Sequence, residues 1–218
     1  MKEPYKIGYI DEDYRQVKIF TTALKEHNIE VLGYDIHQGM SEDEILDLVY
    51  NSDIDLVMID YYLKDKGILT FNGDELERRF REIKPRFPII IFTSNENDAF
   101  DDVDDPNIIY NKDMVLEEGK IEKFVQMLSK NIENYRSYVS KRKKIISELL
   151  EKGEKEGLNA TEKDTLLSTQ LELGALDKKA KKEVPLQLLS QEKLEEISQM
   201  KKEAQEFLDS LIEKKLKK

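Results

Sequence analysis

The sequence predicts an α/β domain of the doubly wound kind, with a five-stranded parallel sheet, followed by an all-α helical or coiled-coil extension. Three observations carry that prediction. Over the first 115 residues, short apolar runs alternate with segments of helical spacing. The runs are apolar at consecutive positions, as strands buried on both faces of a parallel sheet must be. From about Val115 the pattern changes to apolar residues at alternating steps of four and three, the mark of one long helix with a buried seam.

The elements follow in order. YKIGYI (5–10) is a short strand that ends in acids. DYRQVKIFTTALKEH (13–27) has helical spacing through Val17, Phe20 and Leu24. IEVLGY (29–34) reads as the second strand, and Ser41 with Glu44 forms a capping-box start for a helix over 41–50. IDLVMI (54–59) is a continuous apolar strand, and GDELERRFREI (73–83) a helix stopped by Pro85. PIIIFT (88–93) and NIIYN (107–111) complete five strands. Between them, NENDAFDDVDDPN has little apolar periodicity, so a stunted fourth helix is expected.

The extension's seam runs through Ile121, Val125, Leu128, Ile132, Tyr135, Val139, Ile146 and Leu149, with Arg142 breaking one position. A helix of about 30 residues would be about 45 Å long. Gly153 and Gly157 predict a flexible break, and Thr161 with Asp164 a new helix as far as Gly174. KKAKKEVP reads as a linker, and 190–217 as a last helix with one apolar stripe. The expected division is a domain over 1–130 and a helical extension over 131–218.

Composition narrows the function. The chain has 218 residues, 37% of them charged, and a mean hydropathy of −0.63. No apolar run approaches the ~18 residues of a membrane span, the start lacks the apolar stretch of a secretory signal, and there is no cysteine. These features lead us to expect a cytoplasmic protein with no membrane contact. Residues 131–218 hold 19 Lys and Arg against 17 Asp and Glu, leaving 16 basic and 29 acidic residues in 1–130. So acidic a first half argues against nucleic-acid binding, which depends on cationic neutralisation of phosphates. His27 and His37 are isolated and read as surface residues, since a zinc site needs three or four convergent groups.

In open parallel sheets the reactive site lies beyond the carboxyl ends of the strands. Those ends carry Asp11, Glu12 and Asp13 (first strand), Asp60 (third), Thr93 and Ser94 (fourth), and Asn111 and Lys112 (fifth). Any one of these is explained by capping or a turn; jointly they suggest chemistry. Converging carboxylates repel, and a hard cation such as Mg²⁺ relieves that by taking oxygen ligands. A carboxylate can also act as a nucleophile toward phosphorus, with a hydroxyl and an amine contacting the phosphoryl oxygens.

The ordered set IDED (10–13), MID (58–60), IIFTS (90–94) and YNK (110–112) resembles the receiver domain of two-component response regulators, over residues 1 to about 130. The resemblance implies a flavodoxin-like sheet in order 2-1-3-4-5, with Asp60 accepting a phosphoryl group from a histidine kinase or phosphotransfer protein. It implies Mg²⁺ on Glu12 and Asp60, with Asp11 in support and the Tyr62 carbonyl as a backbone ligand. Thr93 and Lys112 would contact the phosphoryl group. No dinucleotide fingerprint or phosphate loop competes with that reading. Three departures stand out. Gly73 comes 13 residues after Asp60, where the family places a glycine about eight after it; Asp113 rather than Pro follows Lys112; and Ile109 occupies the position of the family's switch aromatic. The extension shows no enzyme motif, so its expected role is contact with a protein effector or a second copy, through Ile121, Val125, Leu128, Ile132, Val139 and Ile146. A phosphoryl carrier without gated output, or a scaffold that never takes phosphate, is the alternative, with a DNA-binding regulator behind both.

Overall fold

A computed structural model describes residues 3–117 and 119–176; the expected linker and the helix over 190–217 lie outside the described residues. Five strands, β1 (Tyr5–Ile10), β2 (Ile29–Gly33), β3 (Leu56–Asp60), β4 (Ile89–Thr93) and β5 (Ile109–Asn111), form one sheet in order β2-β1-β3-β4-β5. Every pairing is parallel. That is the fold class and strand order expected.

Helices cover both faces. On one side, α2 (Glu42–Asn51) and α3 (Gly73–Ile83) bury Ile45, Leu46, Val49, Leu76 and Phe80 against Ile10, Val57, Ile59 and Ile91. On the other, α1 (Tyr14–Lys25) packs Val17, Phe20 and Leu24 against Ile7, Tyr9, Met58 and Phe92. Asp13 caps α1 by accepting from the Arg15 N–H, and Ser41 and Glu44 close the expected capping box on α2. α4 (Glu96–Phe100) is five residues long, the stunted helix foreseen from its acidic sequence. Pro106 starts a 3₁₀ turn through Ile108, so β5 begins two residues later than expected.

After the short α5 (Lys112–Val115), α6 (Ile121–Glu156) runs for 36 residues. Gly153 does not break it: the glycine lies inside the helix with Leu158 packed close against it. Gly157, at φ +77°, ends it, since that left-handed conformation is open to glycine at little cost. α7 (Ala160–Leu176) starts at Asn159, which exchanges side-chain and backbone hydrogen bonds with Glu162, rather than at the expected Thr161 with Asp164.

One expectation needs correction. Of the seam proposed for a homodimer, Leu128 and Ile132 are fully buried in the chain's own core with Phe124, on the face shared with α1. They are committed to the sheet and cannot meet a second copy in this fold. Ile121 and Val125 pack partly against the same core, and Val139 and Ile146 are half-buried farther along α6. Beyond the sheet, α6 packs against α7, where Arg142 pairs with Glu172 at 2.7 Å; the guanidinium groups of Arg86 and Arg142 each lie 4.6 Å from the Tyr138 ring. Among the described residues no helix is long and apolar enough to cross a membrane.

Candidate active site at the carboxyl edge of the sheet

The period of two along a strand builds this site. On β1 the residues Ile7, Tyr9 and then Asp11 share one face; on β3 Leu56, Met58 and then Asp60 share the same face. The register pairs Ile7 with Leu56 and Tyr9 with Met58, so the next step along both strands sets Asp11 beside Asp60. Adjacent strands lie about 4.8 Å apart. Two apolar rows that stabilise the core therefore end in two carboxylates side by side, both buried.

That pair would repel strongly in a poorly solvated place, and Lys112 compensates. Lys112 follows β5 and reaches across the end of β4, its Nζ 2.8 Å from Asp11 Oδ2 and 2.9 Å from Asp60 Oδ1. All three side chains are buried. Asp11 is fully engaged: the Tyr9 hydroxyl also donates to Oδ2 at 2.7 Å, and the Asp13 N–H donates to Oδ1 at 2.7 Å. Asp60 is not. Its Oδ1 also accepts a long bond from the Tyr62 N–H (3.4 Å), but its Oδ2 has no partner among the described residues. Burial pushes the Asp60 carboxyl above its ordinary pKa, Lys112 pulls it back, and Asp11 pushes it up again. Asp60 is thus a carboxylate held at a cost, with one oxygen free.

Glu12 stands beside them. Its Oε1 accepts from the Lys66 N–H at 3.0 Å, while its Oε2 is buried with no partner. Burial raises its pKa, the Lys66 N–H and ammonium oppose that, and Asp60 and Asp11 add to the rise. Asp13 is held well below the usual carboxylate range, mainly by Arg15 and then by Lys66. Thr93 is fully buried, and its hydroxyl closes a turn: it donates to the Asn95 carbonyl and accepts from the Asn95 N–H, both at 3.1 Å. The Tyr62 carbonyl accepts a long bond from the Asp65 N–H at 3.4 Å.

The enlarged loop over 61–72 is bolted to β3. The Gly73 N–H donates to the Tyr61 carbonyl at 2.8 Å, and a Cβ on Gly73 would come within 2.2 Å of the Asp60 carbonyl oxygen. Only glycine permits that approach. Both tyrosines that open the loop reach the acidic segment around α4. Tyr61 donates to the Asp98 carbonyl and to Asp102, and Tyr62 donates to the Asp98 carboxylate.

Whether the site suits a hard cation is decided by its atoms. Every donor is oxygen, and Glu12 Oε2 is buried without a partner, as an oxygen-seeking ion requires. Among the described residues no three carboxylates or imidazoles are already gathered around one point. Lys112 bridging Asp11 and Asp60, and the Lys66 N–H on Glu12, hold the carboxylates in other pairings.

No family model matches the sequence, and no curated protein does. Solved structures do. The chain is similar to the response regulator TrrA of Thermotoga maritima, described in complex with Mg²⁺ and BeF, at 18% identity over 57% of this chain and 98% of that one (TM-score 0.44). It is similar to a response regulator receiver protein of Sinorhizobium medicae at 17% identity, over 60% and 96% of the two chains (TM-score 0.45). A signal receiver domain of an HD domain-containing protein from Pseudomonas fluorescens matches at 13% identity, over 63% and 95% (TM-score 0.49). These likenesses concern the fold alone; the chemistry rests on the site's own geometry.

Three contributors escaped the sequence reading. Tyr9 was legible in principle, two positions before Asp11 on one strand. Lys66 and the Tyr61–Asp102 contact were not, because both depend on the path of a loop that no periodicity describes.

Proposed function

We propose that Asp60 is a phosphoacceptor and that the chain is a response regulator charged by a histidine kinase or phosphotransfer protein. One observation carries this reading: a buried carboxylate at a strand end with one oxygen on a buried lysine and the other free. Asp60 Oδ2 attacks phosphorus. An O–P bond forms, the N–P bond of the donor's phosphohistidine breaks, and the leaving imidazole keeps the electron pair and takes a proton. The Lys112 ammonium, released from Asp60 as its charge passes to the phosphoryl group, turns to a phosphoryl oxygen while keeping Asp11. The Thr93 hydroxyl rotates from the Asn95 carbonyl to another. Asp11, held by Tyr9 and the Asp13 N–H, keeps Lys112 in place. Glu12, Asp60 and the Tyr62 carbonyl, with Asp11 in support, would hold a divalent ion such as Mg²⁺, which would neutralise phosphoryl charge. Apart from this self-phosphorylation and loss of the group, we assign no enzymatic activity. The α6–α7 hairpin is then the surface that meets a protein effector in the cytoplasm.

Intact mass after incubation with acetyl phosphate and Mg²⁺ tests this. Wild type should gain one phosphoryl group, about 80 Da, and Asp60→Ala none. No gain in wild type, with a kinase also failing, would make Asp60 a structural residue only.

A further inference from the structure

The loop over 61–72 is longer than the chemistry of Asp60 requires, and its tip has a specific destination. Leu63, Leu69 and Phe71 are buried in the core, so the loop is packed by its own side chains. Residues 64–67 are exposed at its tip. The Ile68 carbonyl accepts from the Gly39 N–H at 3.1 Å, bracing the tip from behind. From that position Lys66 turns back onto the acids that follow β1. Its N–H holds Glu12 Oε1 at 3.0 Å, and its ammonium lies 3.1 Å from Asp13 Oδ2. Asp13 also pairs with Arg15 at 2.9 Å, while Asp11 and Asp60 share Lys112. Four carboxylates therefore face three cations, and Lys66 is the one supplied by the enlarged loop.

We propose that Lys66 is a resident counter-cation at the metal end of the site, which opposes the entry of a divalent ion and so sets the Mg²⁺ concentration at which the site loads. The inference rests on the Mg²⁺ site assigned above to Glu12 and Asp60. The contact to Glu12 is a backbone one, so replacing the side chain leaves that oxygen held while removing the charge. What remains is a more negative pocket with the same ligands. Because the Lys66 side chain is 43% exposed, solvent screens much of its field, and the effect is modest.

The test is calorimetric titration of the full chain with Mg²⁺ alone. Lys66→Gln should bind about three- to fivefold more tightly than wild type, the scale of an exposed ion pair, and the gain should shrink as salt is raised. Lys66→Arg should keep wild-type affinity. Lys64→Gln changes net charge equally at a neighbouring tip position that makes no ion pair among the described residues, and should stay within about twofold of wild type. Equal or weaker binding by Lys66→Gln, or an equal gain in Lys64→Gln, overturns the role of Lys66. If wild type binds, Glu12→Gln weakens binding and Lys66→Gln does not change it, the metal site stands and only Lys66 falls. If wild type takes up no Mg²⁺, both readings fall together.

Discussion

Asp60, Asp11 and Lys112 make a buried triad whose members have unequal effects on stability. Removing Lys112 leaves two adjacent buried carboxylates uncompensated, and breaking a buried pair in this way costs about 3–5 kcal/mol. Removing the charge of Asp60 has the opposite sense, because it takes away both a desolvation cost and the repulsion with Asp11. Urea unfolding should therefore place Lys112→Ala about 3 kcal/mol below wild type, and Asp60→Asn level with it or up to about 1 kcal/mol above, as when a residue kept for activity is replaced. A clear loss of stability in Asp60→Asn would mean that the carboxylate holds the fold together rather than waiting for a reactant. These three residues could be read from the sequence because a strand end is fixed by its own apolar run. Glu12 was legible for the same reason. What remained hidden was pairing: nothing in the residue order said that Tyr9 and the Asp13 N–H would saturate Asp11 and leave Asp60 with a free oxygen.

At the scale of elements, the join between the loop over 61–72 and α4 departs most from the expected pattern. The residue three before Lys112 is Ile109, which is buried in the core and has no hydroxyl to exchange with Thr93. Tyr110, beside it, is half-buried against Phe124. β3 is tied to the acidic segment around α4 instead by Tyr61 and Tyr62, the two residues after Asp60, whose hydroxyls meet Asp98 and Asp102. A phosphoryl group on Asp60 would add negative charge next to this acidic segment, so we expect phosphorylation to loosen α4. The tie has a signature in alkali. The hydrogen bond to Asp98 and partial burial push the Tyr62 phenol up to about 12, against about 10 for a free tyrosine. A folded value above the unfolded one means that the protonated hydroxyl contributes stability that is whole below pH about 10 and is lost as pH rises through about 12. Tyr62→Phe lacks that contribution from the start. Its deficit in urea unfolding should be about 0.5–1 kcal/mol at neutral pH and should close across that alkaline window. A deficit that stays constant with pH would mean that the ring, not the hydroxyl, makes the contact. Helix ends were the least legible feature of this scale. Gly153 was expected to break α6, but a glycine costs a helix interior only about 1 kcal/mol, which neighbouring packing offsets, and the stop came where the backbone itself turned left-handed.

For the whole molecule, the 3–4 spacing along α6 announced a buried stripe without saying what buries it. One stripe serves two surfaces: Phe124, Leu128 and Ile132 close the sheet, and farther along Tyr138 and Arg142 meet α7 through Glu172. The sheet's claim on α6 does not stop at residue 130. Ile132 is fully buried, the Tyr5 hydroxyl donates to Glu133 at 2.9 Å, Tyr135 packs its ring 5.4 Å from Phe87, and Arg136 pairs with Asp55 at 2.6 Å. A division of labour between 1–130 and 131–218 thus falls inside one helix, two residues before Ile132 and five before Tyr135, both of which pack on the core. Two experiments separate core from extension. Leu128→Ala should lose about 2–5 kcal/mol, the range for emptying a leucine site in a packed core, with no change of oligomeric state in light scattering. A chain ended after residue 130 should unfold about 2–3 kcal/mol more easily than one ended after 140, the worth of burying Ile132 and the ring of Tyr135. Equal stability of the two truncations would place the end of the folded domain before Ile132, and would leave the second half of α6 free to act on a partner without disturbing the sheet.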